Sequence, residues 1–220
     1  GLLLTIISAS CGNVTTPEVV SAPTSPPSVP SRISSESLPP ICNCVLRFDH
    51  IGIEQGLSQS SVRVVFQDSR GFLWFGTEDA LNRYAAYTFK IYKPDPDVLN
   101  SLSYRCITSI VEDQSGYLWI ATRLGGLNRY DPRTEDFVRF LHDDANPDSL
   151  TSNQINVLYL DKDDNLWIGT PKGIDLFDRA SNSFKHRGFN PSQRWDVSNK
   201  NITAIYEDRI GRFWVGTSDS

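Results

Sequence analysis

Four aspartates and four tryptophans are the residues whose types and fixed spacing first suggest chemistry in this chain. Each tryptophan follows an aspartate by six residues; the pairs are Asp68 and Trp74, Asp113 and Trp119, Asp161 and Trp167, and Asp208 and Trp214. Carboxylates can act as general acids or bases. A residue that returns in every repeat, however, serves the repeat, whereas catalysis needs residues that break it. We therefore predict that these aspartates form turns and that these tryptophans pack between repeats.

The remaining residue types that could carry chemistry are scattered along the chain. His50, His142 and His186 fall in different repeats, and the sequence predicts ordinary solvated or half-buried histidines rather than a shared metal site. The four cysteines indicate neither a disulfide framework nor a zinc motif. The sequence contains no glycine-rich phosphate loop and no nucleophile elbow. It thus predicts no catalytic residue, no cofactor-binding residue and no metal site, and it leaves the ligand-binding residues unknown.

The elements that must position the recurring residues are short strands. The tryptophans lie 45, 48 and 47 residues apart, a period that indicates an array of supersecondary units. Each unit begins with an alternating run rich in β-branched and aromatic residues, which favours a strand. A second strand carries the tryptophan. Third and fourth strands are expected at residues 81–84 and 89–92 and at the matching places in later repeats.

Four strands in about 45 residues are typical of one blade of a β-propeller. We predict an all-β fold in which residues 45–220 form about three and a half four-stranded blades of a ring of about seven. The predicted blades are about 60–95, 105–142, 153–190 and a truncated 200–220. Residues 46–50 are predicted to be the strand that closes the ring. The chain, which contains no methionine, is expected to be a fragment, and a stacked solenoid is the weaker alternative.

The N-terminal residues differ in composition from the repeats. Residues 1–11 resemble the end of an export or lipoprotein signal, because an apolar run leads through small residues to Cys11. Cys11 is the candidate lipidation site, with plain cleavage or an uncleaved anchor as alternatives. Residues 12–44 have the Ser/Pro-rich composition of a disordered linker. All of these alternatives predict a propeller outside the cytoplasm, in the periplasm or at the cell surface, with the full-length protein attached to the membrane.

The net charge argues against one class of ligand, and the variable loops indicate where binding is best expected. The formal charge of −5 and the isoelectric point near 5.2 argue against nucleic-acid binding. The loop between the second and third strands breaks the repeat, since Ala80 stands where later repeats have Gly126 and Gly173. Arg123 and Lys172 occupy the same loops in the second and third repeats. Loops held by a rigid scaffold commonly carry function, so these are the better places to expect binding.

Several motifs, taken together, resemble the two-component regulator propeller repeat. They are residues 56–62 (Gly-Leu-Ser-Gln-Ser-Ser-Val), 67–77, 81–84, 125–131 and 146–150. The resemblance covers residues 46–220. It implies the extracytoplasmic, ligand-sensing part of a hybrid sensor histidine kinase, itself non-catalytic, that acts in a phosphorelay. It also implies a homodimeric full-length protein and an unknown small ligand, for which a glycan fragment is one candidate, and it implies no cofactor.

Two other functions remain open at this point. The first is a standalone surface-tethered lipoprotein whose propeller binds carbohydrate or protein, which the Cys11 signal favours. The second, weaker alternative is a propeller glycosidase or lyase, because the spacing Asp-x-x-Gly-x-x-Trp resembles the Asp box of sialidase-type propellers. That box is structural in those proteins too.

Overall fold

The computed structural model describes residues 5–8, 47–187 and 197–218, which divide into two units. One unit contains strand β1 (Thr5–Ser8) and strand β2 (Arg47–His50), which pair antiparallel. The predicted closing segment therefore contains a strand, and its hydrogen-bonded partner is β1. Its role in completing the last blade stays a prediction. Cys11 and the predicted linker lie outside the described residues.

The other unit holds the repeats. A 3-10 turn at Ile53–Gln55 precedes three antiparallel sheets of four strands and one of two strands. The first blade consists of β3 (Val62–Gln67), β4 (Leu73–Thr77), β5 (Leu81–Ala85) and β6 (Thr88–Tyr92). The second consists of β7 (Ile107–Glu112), β8 (Leu118–Thr122), β9 (Leu127–Asp131) and β10 (Asp136–Phe140). The third consists of β11 (Val157–Leu160), β12 (Leu166–Thr170), β13 (Gly173–Asp178) and β14 (Ser183–Arg187), and the fourth of β15 (Ile202–Glu207) and β16 (Phe213–Thr217).

Each sheet follows chain order, so every strand pairs with the strand next to it in sequence. This meander, repeated at the predicted period, confirms the all-β propeller and excludes the solenoid for the described repeats. The blade sheets begin and end within about two residues of the runs that the sequence predicts as strands.

The recurring aspartate closes the turn between the first two strands of its blade. One oxygen of Asp68 accepts hydrogen bonds from the backbone N–H groups of Arg70 at 3.1 Å and Phe72 at 2.8 Å. The other oxygen accepts the indole N–H of Trp74 at 2.9 Å. The matching indole bonds in later blades are Trp119 to Asp113 (2.8 Å), Trp167 to Asp161 (2.8 Å) and Trp214 to Asp208 (3.1 Å). One carboxylate therefore shapes the turn and satisfies the indole.

These hydrogen bonds stabilise the charged form of the carboxylate. Burial raises the pKa of Asp161, but the hydrogen bonds from Trp167 and Asn165 outweigh burial, so the pKa lies below its usual value. The backbone N–H of Arg212 lowers the pKa of Asp208 in the same way, with the Arg212 and Trp214 side chains adding to the effect. Asp161 and Asp208 are consequently ionised at neutral pH.

The hydrophobic core lies between neighbouring blades rather than inside any one of them. Each of the first three indoles contacts an aromatic ring of the following blade. The pairs, with distances between ring centroids, are Trp74–Tyr130 (5.2 Å), Trp119–Phe177 (4.8 Å) and Trp167–Phe213 (4.9 Å). Trp74 and Trp119 are fully buried, whereas Trp214 of the two-stranded fourth blade is 55% exposed. A blade thus completes the burial of the one before it.

A second set of contacts joins the blades at the end where the Asp turns lie. In the first three blades the residue after the aspartate bonds to an acidic side chain of the next blade. The bonds are Ser69 to Glu112 (2.6 Å), Gln114 to Asp164 (3.1 Å) and Lys162 to Glu207 (3.2 Å). Arg179 of the third blade adds an ion pair, at 2.8 Å, with the fully buried carboxylate of Asp113 in the second. Polar bonds therefore reinforce the apolar contact between blades.

The first two strands of a blade pack closely, and the sizes of the residues that face each other on them are adjusted to one another. A Cβ placed on Gly76 would lie 2.5 Å from Val64 Cγ1 and 2.7 Å from Ile107 Cγ2 of the next blade. In the second blade the equivalent of Gly76 is Ala121, and the residue that pairs with Ala121 is Ser109. A smaller first-strand residue therefore accompanies the larger second-strand residue.

We expect Asp113→Ala to lower the free energy of unfolding by about 3 kcal/mol, because it leaves the buried Trp119 indole without its acceptor and removes one of the two carboxylates that pair with the Arg179 guanidinium. Chemical denaturation of the intact protein followed by tryptophan fluorescence measures the change. Asp208→Ala is the matched control, and its loss should be smaller because water reaches Trp214. Equal losses at the two positions would contradict this account.

We expect Gly76→Ala to destabilise the fold by about 1–3 kcal/mol through overpacking against Val64 and Ile107. Adding Val64→Ser reproduces the Ser109 and Ala121 combination of the second blade and should recover part of that loss. A double-mutant cycle measured by denaturation gives the coupling energy. Strict additivity of the two losses would show that a smaller residue at position 64 does not relieve the overpacking caused by Ala at position 76.

Candidate functional site

The face of the propeller opposite the Asp turns carries the variable segments. In a meander the turns leave a sheet at alternating ends, so the turns between second and third strands share one end with the connections between blades. We call this end the loop face. Its described segments are the turns 78–80, 123–126 and 171–172 and the connections 51–61, 93–106, 141–156 and 197–201.

A fully buried threonine at the end of the second strand fixes each turn of the loop face. The Thr77 hydroxyl donates to the carbonyl of Ala80 at 2.9 Å and accepts the Ala80 N–H at 3.0 Å. The same hydroxyl-to-carbonyl bond joins Thr122 to Gly126 (2.9 Å) and Thr170 to Gly173 (3.0 Å). Because these bonds use the backbone, the side chains in between can vary freely.

The connection into each blade is anchored in the same way every time. A buried aliphatic residue enters the core; these residues are Leu57, Leu102, Leu150 and Val197. In the first three blades the following residue donates its backbone N–H to a buried side-chain oxygen of the third strand. The pairs are Ser58–Asn82 (3.0 Å), Ser103–Asn128 (2.9 Å) and Thr151–Asp175 (2.9 Å).

The third blade departs from this pattern because a fully buried carboxylate, Asp175, replaces the asparagine. His186 lies opposite Asp175 in the β13–β14 pair, with its Nδ1 2.7 Å from the carboxylate and its Nε2 2.7 Å from the carbonyl of Pro147. In the second blade Arg139 holds this position and donates to the carbonyl of Ser101 at 2.8 Å. Two different cationic side chains thus clamp equivalent connections.

The environment of His186 favours its protonated form. Burial lowers the pKa of His186, but hydrogen bonds to the Asp175 carboxylate and the Pro147 carbonyl outweigh burial, and the pKa lies above its usual value. Asp148 adds a weaker attraction. A protonated ring can donate from both nitrogens, so it compensates the buried charge of Asp175 and holds the connection at once.

A cleft of about 250 Å³ opens beside this clamp. It lies between the connection into the third blade and the β12–β13 turn, and its lining includes His142, Asp144, Ser149, Thr151, Lys172 and His186. The Nδ1 of His142 is 2.5 Å from the carbonyl of Leu150 and its Nε2 is 3.0 Å from Asp144. The cleft therefore offers hydroxyl, imidazole, carboxylate and ammonium groups, which suit a ligand rich in hydroxyl groups.

The structure brings together two histidines that the sequence assigns to different repeats. His142 and His186 line one cleft, whereas His50 belongs to the other unit. Within the part of the chain that the structure describes, no group of three or more His, Cys, Asp or Glu side chains is arranged to hold a metal ion. Among the same residues, no helix is long and apolar enough to cross a membrane.

The comparison with protein families gives one result that spans the repeats. A model described as "Two component regulator propeller" matches residues 56–79, 101–123, 149–172 and 196–219. Each match runs from a loop-face connection through the first two strands to the turn that follows. The matched segments therefore contain both the Asp turn and the threonine that fixes the loop face.

Relatives of known description are similar over part of their length. Over 48 residues the chain is 52% identical to "Histidine kinase P4" of Formosa agariphila, a stretch that covers 22% of this chain and 4% of that protein. The extracellular domain of a hybrid two-component system from B. thetaiotaomicron matches with a TM-score of 0.64 at 26% identity, covering 77% of this chain and 29% of that one. A second B. thetaiotaomicron extracellular domain, from a one-component system, matches with a TM-score of 0.62 at 23% identity, covering 78% and 22%. The chain thus spans less than a third of the length of each of these proteins.

We expect His186→Gln to reduce stability most at acidic pH. The folded pKa of His186 lies above its ordinary value of about 6.5, so the stabilisation is fully present below that value and is lost as pH rises through the folded pKa. The difference in free energy of unfolding between wild type and His186→Gln should therefore shrink as the buffer changes from about pH 5 to about pH 9. Urea denaturation across this range measures it.

Asp175→Asn is the matched control for this prediction. It restores the asparagine of the first two blades and removes the charge that favours His186 protonation. In that background the His186→Gln difference should vary much less with pH, because only the Pro147 carbonyl and the weaker attraction of Asp148 still favour protonation. A pH dependence as large as in the protein that retains Asp175 would assign the effect to another group.

Proposed function

We propose, from the four two-component regulator propeller repeats that this chain carries, that it is part of the extracytoplasmic sensor region of a hybrid sensor histidine kinase. The family match to all four repeats is the observation that carries the proposal. The 52% identity with a histidine kinase over 48 residues and the similarity to the extracellular domain of a hybrid two-component system support it. The chain itself is proposed to be non-catalytic.

The geometry supports a binding role at the loop face. The Asp turns of the first three blades bond to the next blade and keep one length, whereas the turns of the loop face vary in residue type and in length. The turn between Thr122 and Gly126 is one residue longer than the turn between Thr77 and Ala80. Function on a rigid scaffold usually lies in such segments. We propose that a small ligand, with a glycan fragment as the candidate, binds there.

Signalling then requires a route from the loop face to the kinase. Each blade buries its tryptophan against the next blade, so a ligand that contacts several blades favours one arrangement of the ring. In the proposed protein, a membrane-anchored homodimer, such a preference alters how the two copies meet and so changes autophosphorylation. This step belongs to the whole protein, of which the chain is a part.

Accessibility of an introduced cysteine tests the location. Leu99 is 85% exposed, and Leu99→Cys provides a reactive thiol, whereas the native Cys106 is buried. A membrane-impermeant maleimide should add one more adduct to Leu99→Cys than to the parent protein in cells with a permeabilised outer membrane. Extra labelling that occurs only after complete lysis would place the propeller in the cytoplasm and refute the proposal.

Incubation of membranes with labelled ATP tests whether the full-length protein is a histidine kinase. The polypeptide that carries this chain should acquire acid-labile phosphohistidine. Labelling of Leu99→Cys from outside, combined with no phosphorylation of the same polypeptide, would instead identify the standalone binding propeller. We expect the intact protein to cleave none of the oligosaccharides in a test panel. Cleavage of any of them would favour the glycosidase or lyase alternative.

A further inference from the structure

The connection into the third blade differs from the connection into the second in the side chains that surround it. At three equivalent positions a group whose charge can change stands where the second blade has a proline, an amide or a guanidinium. The replacements are Pro94 by His142, Asn128 by Asp175 and Arg139 by His186. The three new groups lie beside one connection, so its attachment can depend on pH.

Each nitrogen of the two histidine rings faces an oxygen that can only accept a hydrogen bond, because carbonyls and ionised carboxylates have no hydrogen to donate. The contacts are His186 Nδ1 to Asp175 (2.7 Å), His186 Nε2 to the carbonyl of Pro147 (2.7 Å), His142 Nδ1 to the carbonyl of Leu150 (2.5 Å) and His142 Nε2 to Asp144 (3.0 Å). A neutral imidazole has one N–H and one lone pair. Each ring therefore donates to both of its acceptors only when it is protonated.

The segment 143–149 between these contacts is bonded internally. The N–H of Asp143 donates to the Ser149 hydroxyl at 2.9 Å, and the N–H of Asn146 donates to the carbonyl of Asp143 at 3.0 Å. Its attachment to β14 includes the contact of Pro147 with His186 and a backbone bond from Phe184 to Asp148 at 2.8 Å. Loss of the His186 proton would leave a lone pair against the Pro147 carbonyl and free that side of the segment.

The connection into the second blade shows the same attachment without a titrating group. The N–H of Phe137 donates to the carbonyl of Asn100 at 2.9 Å, as Phe184 does to Asp148. The Arg139 guanidinium donates to the carbonyls of Ser101 at 2.8 Å and Val98 at 3.0 Å. A guanidinium stays charged throughout the physiological pH range, so this connection is held at any pH.

The charges around the two rings come from several elements. Asp175 of β13 and Asp148 of the connection favour protonation of His186. The cleft that both rings line also contains Asp143 and Asp144 of the connection and Lys172 of the β12–β13 turn. The turn of the second blade, which bonds to the connection through Gly126 and Asn153, carries Arg123. Carboxylates on the connection and β13 thus oppose one ammonium and one guanidinium on the neighbouring turns.

The direction of the pH response follows from His186. Burial lowers the pKa of His186, but its hydrogen bonds to Asp175 and Pro147 outweigh burial, so the pKa lies above the ordinary value of about 6.5. The contact with Pro147 is consequently complete below that value and is lost as pH rises through the folded pKa.

We propose that His142 and His186 form a proton-operated clamp, which holds the segment 143–149 against the third blade when both rings are protonated and releases it when they lose their protons. Asp143, Asn146 and Ser149 line the cleft, so the shape of the cleft follows the state of the clamp. Proton concentration thereby becomes an input that the loop face registers by itself. The inference concerns the propeller alone and does not depend on the sensor role proposed above.

Hydrogen exchange of the intact protein, followed by mass spectrometry of its peptides, tests the clamp. Labelling times are corrected for the intrinsic pH dependence of exchange. Between about pH 5 and about pH 9, protection of residues 143–149 should fall about tenfold, the effect of losing one charge-assisted hydrogen bond. Protection of residues 95–101 is the internal control and should stay constant. A change at 143–149 no larger than that at 95–101 would overturn the proposal.

Removal of the rings assigns the effect. The double variant His142→Gln with His186→Gln should show the lower protection of 143–149 at both pH values. His50→Gln removes the histidine of the other unit and should leave the pH dependence as it is. A pH dependence that survives in the double variant would assign it to the aspartates and refute the clamp.

A permanent cation at position 186 tests the clamp in the opposite direction. Asp175→Asn with His186→Arg introduces the pair found in the second blade and should raise the protection of 143–149 at pH 9 above that of the wild type. Protection at pH 9 that stays at the wild-type level would show that loss of the cation is not what releases the segment. Unchanged protection of 95–101 confirms that the fold of each variant is intact.

Discussion

The hydrogen bond between each recurring indole and its aspartate is the interaction on which the rest of the propeller depends. A buried indole N–H needs an acceptor. The aspartate six residues earlier supplies it, and the same carboxylate closes the turn between the first two strands. Once that bond is made, the faces of the indole are free to contact the following blade, as Trp119 contacts Phe177. Local turn chemistry and packing between blades are therefore consequences of a single spacing.

The strands could be predicted from the sequence because local pattern decides them. The run at 107–112 coincides with β7 (Ile107–Glu112), and the aspartate that replaces a turn glycine in the third repeat, Asp164, adopts the left-handed conformation with a φ of 63°. The third repeat shows where local pattern fails. Its run begins at Ile155, but β11 begins at Val157, since the N–H of Ile155 bonds to Thr122 of the preceding blade.

Contacts between repeats could not be predicted in this way. At one equivalent position a hydroxyl, a backbone amide and an ammonium group, from Ser69, Gln114 and Lys162, each reach an acidic residue of the next blade. No shared residue type marks them. The proximity of the two cleft histidines, in contrast, could have been predicted from their spacing in the sequence. His142 and His186 are 44 residues apart, close to one repeat, and residues one period apart belong to adjacent blades.

The Asp turn and the loop-face turn of a blade differ in how much change of length they tolerate, and the reason is what else the bonding side chain holds. At the Asp turn the carboxylate binds the indole as well as two backbone N–H groups, so the distance of six residues from Asp to Trp is the same in all four repeats. On the loop face the threonine hydroxyl bonds to the N–H and C=O of the turn backbone, as Thr77 does to Ala80, and the intervening side chains are not used. Glu78, Arg123 and Lys172 can consequently occupy equivalent turns on one scaffold. A face built from backbone bonds can change its charge without changing its fold, and this separation lets a repeated structure present a surface that is not repeated.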